Sequence, residues 1–128
     1  MDEKKVRFTI DQVNIVADMN FTKLAQYVLK SLPINSNIQT WGDELYFPIP
    51  ICDEITDISV ETVNKGDIAY WPLGNSICVF WGPTPISQEG EIRPASRVVV
   101  IGKVEGDPTI LSTVKNGKSI AVDLIKDY

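Results

Sequence analysis

Gly66-Asp-Ile-Ala-Tyr70-Trp-Pro-Leu-Gly-Asn75-Ser-Ile-Cys-Val-Phe80-Trp-Gly-Pro-Thr-Pro85 is the stretch on which the fold turns. Pro72, Leu73, Gly74 and Asn75 read as a turn, because proline fixes φ while glycine and asparagine tolerate left-handed backbone. With those four as the loop, Trp71 lies opposite Ser76 and Tyr70 opposite Ile77. Side chains alternate between the two faces of a strand. Ala69, Trp71, Cys78 and Phe80 therefore share one face, and Ile68, Tyr70, Ile77, Val79 and Trp81 the other. Both faces carry large aromatics. One is core, and the second must be covered by a helix, a partner chain or a ligand, or else stand partly exposed. Gly82-Pro-Thr-Pro-Ile86 follows, stiffened by two prolines that also remove two backbone donors. Arg93-Pro94 is a second rigid step before the next strand.

Outward from this hairpin the chain is a series of short apolar runs punctuated by eight prolines and eight glycines. That spacing predicts a mostly β barrel or sandwich. Val6, Phe8 and Ile10 alternate, Asp11-Gln12 is a turn candidate, and Val13, Ile15 and Ala17 alternate again, which predicts an opening hairpin. Further strands are expected at 44–51, 67–71, 77–81, 97–104 and 119–126. Val98 to Ile101 are apolar on both parities, so that strand is expected to be covered on both sides. A helix is predicted over 21–32, capped by Asn20 and ended by Pro33, with Phe21, Leu24, Ala25, Val28 and Leu32 on one stripe. A second short helix is predicted over 108–115, with Asp107 as its cap, Pro108 as its first residue and Asn116-Gly117 as its end. The sum is about seven to nine strands and two short helices.

The 128 residues suit one domain spanning 1–128. With no histidine, His-based triads, His-ligated metals and imidazole switches are excluded. The balance of 12 basic against 17 acidic residues, net −5, argues against a nucleic-acid partner. Cys52 and Cys78 are too few for a structural zinc site and sit among apolar residues, as small buried hydrophobes do. A disulfide between them stays open. The charged start Met1-Asp-Glu-Lys-Lys5 lacks the apolar stretch of a signal peptide, and no run approaches a membrane span. The expectation is a soluble, cytoplasmic protein with no membrane partner and no cofactor. No phosphate-binding loop, nucleophile elbow or metal spacing is present.

Five segments carry a resemblance to a known family. They are Trp41-Gly-Asp-Glu-Leu-Tyr-Phe47, Gly66-Asp-Ile-Ala-Tyr-Trp-Pro-Leu-Gly-Asn75, Cys78-Val-Phe-Trp-Gly-Pro-Thr-Pro85, Ile92-Arg-Pro-Ala-Ser96 and Val99-Val-Ile-Gly-Lys103. In this order, within a match over about residues 6–125, they resemble a prokaryotic family of uncharacterised cyclophilin-like domain proteins in the cyclophilin-like superfamily. The resemblance implies a closed, roughly eight-stranded β-barrel with a short helix capping each end. It does not carry over an activity. Prolyl isomerases of the cyclophilin type use an arginine in a Phe-His-Arg-Val-like strand and a Gly-Ser-Gln-Phe-Phe-like segment. Neither occurs here, and Arg7, Arg93 and Arg97 stand in other contexts.

Two groups of residues could do chemistry. Asp43 and Glu44 lie between Trp41 and Tyr46, where burial raises a carboxyl pKa toward the range of acid–base work; the alternative is a turn with Glu44 solvated. Arg93 is either a solvated surface charge or cap, or a two-donor clamp for an anion or carboxylate. Three functions follow. The first is a binding module whose pocket is walled by Trp41, Tyr46, Trp71 and Phe80, with Glu44 and Arg93 fixing a small molecule or an extended peptide. The second is a prolyl isomerase of altered activity with Arg93 as donor, lowering a rotation barrier of ~18–20 kcal/mol. The third is a homo-oligomeric assembly protein using the uncovered aromatic face.

Overall fold

The computed structural model describes residues 4–51 and 56–125. Cys52 lies outside them, as does the predicted strand end at Lys126, while Cys78 is a free, buried thiol. One nine-stranded sheet organises the chain: β1 (Lys4–Ile10), β2 (Val13–Met19), β3 (Ile34–Asn37), β4 (Gln39–Thr40), β5 (Glu44–Pro48), β6 (Asp67–Trp71), β7 (Ser76–Phe80), β8 (Val99–Glu105) and β9 (Ser119–Leu124). Their order is β3-β9-β1-β2-β8-β6-β7-β5-β4, every pairing antiparallel.

The two ends of that order are consecutive in the chain, separated only by Ile38. The segment of β3 and β4 thus pairs with β9 on one side of Ile38 and with β5 on the other. Ile38 is fully buried, and its backbone bonds to Lys118 and Gly117 hold the corner. Ser36 Oγ donates to the Pro48 carbonyl at 2.8 Å across the seam. A barrel of this kind leaves little edge for aggregation. Counting β3 and β4 as one bent strand gives eight, the number the resemblance implies.

The hairpin register is the one read from the sequence, Tyr70↔Ile77 and Trp71↔Ser76, with Asn75 at φ +45° in the turn. Its two faces feed two clusters. Ile68, Tyr70, Ile77, Val79 and Trp81 point into the barrel with Phe8, Phe47 and Ile101, and Phe8 meets Phe47 edge-on across the interior at 6.2 Å. Ala69, Cys78 and Phe80 point outward into a second cluster with Val63 and Val98, flanked by Tyr46, Trp71 and Ile92. What covers this outer face is the chain itself. Bridges Val60↔Val98 and Val63↔Ile92 fasten two segments over it. Val98 to Ile101 are covered on both sides, as their composition predicts.

α1 (Lys23–Lys30) buries Leu24, Ala25 and Val28 in the interior cluster. The helix starts later than the stripe suggests. Its cap is Thr22, which accepts from Ala25 N, because Asn20 is spent on the Val100 carbonyl and on Thr22. Phe21 consequently lies outside the helix and is exposed. Asp57 adds a distant cap, accepting from Lys23 N and Leu24 N. Pro108–Thr113 forms a 3₁₀ turn rather than an α-helix, with Asp107 as its cap, and inserts Leu111 into the interior. α1 and this turn sit at opposite ends of the β2–β8 pair, where that pair runs from Met19↔Gly102 to Val16↔Glu105. No helix among the described residues is long and apolar enough to cross a membrane.

Candidate functional site

β5 sends Leu45 and Phe47 into the barrel, so Glu44 and Tyr46 face outward beside Cys78 and Phe80 of β7. Before Glu44 the chain turns tightly, with Trp41 N donating to the Glu44 carbonyl at 2.9 Å. Gly42 makes that turn at φ +61°. A Cβ there would lie 2.8 Å from Pro85 Cδ and 2.9 Å from Thr84 Cα, so only glycine lets the 82–85 loop rest on it. Asp43 N donates to the Pro83 carbonyl and Trp81 N to the Asp43 carbonyl, stitching the two loops together. Thr84 Oγ1 donates to the Arg93 carbonyl, and Ser87 Oγ accepts from the backbone of Thr84 and Arg93, which anchors the segment leading to Pro94.

Between these parts lies a cavity of about 210 Å³, lined by Trp41, Glu44, Tyr46, Trp71, Cys78, Pro94 and Ala95. Its walls are fixed. The Trp71 ring meets Tyr46 edge-on at 5.9 Å, donates from Nε1 to Ser96 Oγ at 2.6 Å, and rests on Gly74, where a Cβ would come within 2.2 Å of it. The Tyr46 hydroxyl donates to Gln39 Oε1. Glu44 is 4 % exposed, and its Oε1 has no hydrogen-bond partner. Burial pushes its carboxyl up from 4.5 to about 7, partly offset by a hydrogen bond from the Cys78 thiol. The same burial, with the carboxylate beside it, drives the thiol well above its ordinary range, so Cys78 is a poor nucleophile here.

Of the six residues singled out from the sequence, the structure gathers Trp41, Glu44, Tyr46 and Trp71 around this cavity. Phe80 is fully buried in the outer cluster and does not line it. Arg93 precedes the wall residue Pro94, but its guanidinium is gripped by Glu91, Nε–Oε2 at 2.7 Å and Nη2–Oε1 at 3.1 Å. The reading of Glu44 as a solvated turn residue is corrected: the turn is present, and the side chain is buried. Cys78, Pro94 and Ala95 were not singled out, although Cys78 shares the parity of Trp71 and Pro94 adjoins Arg93. A more open concavity of about 640 Å³ beside α1, near Met19, Phe21 and Leu29, has Lys4 and Lys30 in its lining and holds no buried side-chain polar atom without a partner. Its amides, on Asn20 and Gln26, are bonded to backbone carbonyls. Among the described residues no cluster of His, Cys, Asp or Glu could hold a metal.

The model of the family described as Cyclophilin-like matches residues 4–123. Among solved structures, the chain is similar to the hypothetical protein AF2241 from Archaeoglobus fulgidus, known from a solution structure, at 33% identity over 94% of each chain with a TM-score of 0.80. No curated protein matches. The family model spans most of the nine-stranded sheet, and the archaeal protein shares the fold almost end to end; the chain belongs to the cyclophilin-like family.

Proposed function

We propose that this chain is a binding module, and that the cavity on the outer face of β5, β6 and β7 takes a small molecule or one group of an extended peptide. A single observation carries the reading: Glu44, whose Oε1 is buried without a partner, lines an aromatic-walled hollow. Buried polar atoms are nearly always hydrogen-bonded, and an orphan one costs about 1–3 kcal/mol. Such a cost is what a site retained for a ligand looks like. Apolar walls supply contact area, and one placed polar group supplies orientation.

The prolyl isomerase reading draws less support. It asks for a donor aimed at the bound peptide, and Arg93 has both its Nε and Nη2 engaged by Glu91. Assembly through the aromatic hairpin face is also less favoured, because the chain's own segments at Val60, Val63 and Ile92 to Val98 lie over that face.

The test is a thermal-shift screen against small metabolites and short peptides, run on the natural chain and on Trp71→Ala and Glu44→Gln. The expected result is a class of compounds that raises the melting temperature of the natural chain and loses that effect in both variants. A screen in which nothing shifts the natural chain, or in which the variants respond equally, overturns the reading.

A further inference from the structure

We propose that the occupant of the Glu44 cavity is a small ammonium cation, an alkylammonium group carried by a free amine or by a peptide as a lysine side chain or N-terminus. This deepens the binding reading above and rests on it. Glu44 presents an oxygen with no partner, and its described interaction is the hydrogen bond from the Cys78 thiol. None of the ion pairs among the described residues includes Glu44. The cations on the neighbouring segments are committed: Arg93 to Glu91, Arg97 to Glu61 and Ser59, and Lys103 to Asp67. A buried carboxyl without a counter-ion is expensive to ionise, and a cationic ligand supplies what the chain withholds.

The walls agree. Trp41, Tyr46 and Trp71 offer ring surface, whose negative faces attract ammonium groups. Two of the three polar handles on those rings are engaged, Tyr46 Oη with Gln39 and Trp71 Nε1 with Ser96, and only the neutral Trp41 indole N–H is left as a donor. Pro94 and Ala95 add apolar surface with no side-chain donor. A carboxylate or phosphate would thus lie against the Glu44 carboxyl with no cationic side chain in the lining to receive it. The size fits a head group: about 210 Å³ is below the ~300 Å³ where ordinary small-molecule sites begin. The net charge of −5 favours approach of cations. The titratable groups at the cavity are Glu44 and Tyr46 of β5 and Cys78 of β7; Asp43, the next residue along, is exposed.

The probes are n-butylammonium, its neutral isostere n-butanol, N-methylacetamide, and Nα-acetyl-lysine amide, each titrated against the intrinsic tryptophan fluorescence of the whole chain. Butylammonium is expected to bind at about pH 8 at least about tenfold tighter than butanol, and to weaken about fivefold or more at about pH 5.5 as Glu44 takes up a proton. Glu44→Gln, checked for fold by circular dichroism, is expected to lose the preference for the cation about tenfold. Trp41→Ala, a change on a half-buried turn, serves as the second variant and is expected to weaken the cation several-fold. The two sources separate in the lysine arm. Tighter binding of Nα-acetyl-lysine amide than of butylammonium marks a peptide source, and its exclusion marks a free amine. Equal binding of butanol and butylammonium, or cation binding unchanged in Glu44→Gln, overturns the inference. Response to N-methylacetamide with the cations silent overturns it while leaving the binding reading intact; silence from every probe and from the metabolite screen removes both.

Discussion

Replacing Glu44 by glutamine removes one ionisable group and almost no volume, and its effect on stability should depend on pH in a calculable way. Below its ordinary pKa of 4.5 the carboxyl is protonated in folded and unfolded chains alike, and burial costs nothing through ionisation. Between 4.5 and about 7 the unfolded chain has released a proton that the folded chain retains, so the natural chain loses stability as pH rises. Above about 7 both states are ionised and the cost levels off. The gap of about 2.5 in pKa, at about 1.4 kcal/mol for each, amounts to about 3 kcal/mol. Few other groups obscure that window. The chain has no histidine, Glu91 and Asp107 are held below the ordinary carboxylate range by their hydrogen bonds, and Cys78 lies above the ordinary thiol range. The assay is urea unfolding followed by tryptophan fluorescence at steps from about pH 5 to about pH 7.5. Glutamine brings its own burial cost, which is independent of pH and drops out of the slope. The variant is expected to gain about 2–3 kcal/mol relative to the natural chain across that range. Two curves that stay parallel within about 0.5 kcal/mol would refute the claim that Glu44 sits in a poorly solvated hollow.

Three further outcomes follow from the packing. Gly42→Ala must accept both a positive φ and a Cβ 2.8 Å from Pro85 Cδ, and should cost about 2–4 kcal/mol in chemical denaturation; a loss under about 1 kcal/mol would mean that the 41–44 turn does not press on the 82–85 loop. Gly74→Ala drives a methyl into the Trp71 ring, so it should cost about 1–3 kcal/mol and shift the tryptophan emission, whereas unchanged emission would mean that Trp71 is not seated on Gly74. Asp57→Ala removes the acceptor of Lys23 N and Leu24 N, and should cost about 1 kcal/mol with faster amide exchange in the first turn of α1; unaltered exchange there would refute the cap.

The hairpin was legible because its information is local. A four-residue turn fixes the register, and register fixes which residues share a face. The same parity rule foretold that Val98 to Ile101 would be covered on both sides. β3 and β4 were not legible. The run Asn35-Ser-Asn-Ile-Gln-Thr40 carries one large apolar residue, and its strand character comes from pairing with β9 and β5, remote in sequence. The helix start was misread for a similar reason: Asn20 is a good cap in isolation, but the Val100 carbonyl, 80 residues away, takes its amide. At the site, Trp41, Glu44, Tyr46 and Trp71 stood out by type and neighbourhood. The burial of Glu44 could not be read there, because its cover includes the 92–98 segment, far along the chain. Phe80 shares the parity of Trp71 but sits two residues beyond Cys78, deeper in the outer cluster. Arg93 reads from the sequence as either a surface charge or a clamp, and Glu91, two residues before it, satisfies the guanidinium first.

The protonation of Glu44 is followed most directly through its side-chain carboxyl carbon in a pH titration by NMR, in the free chain and with saturating n-butylammonium. The prediction is a midpoint of about 7 in the free chain that falls on addition of the cation, as a counter-ion stabilises the ionised form. A midpoint near 4.5 in the free chain, or one that the cation leaves unmoved, would contradict it.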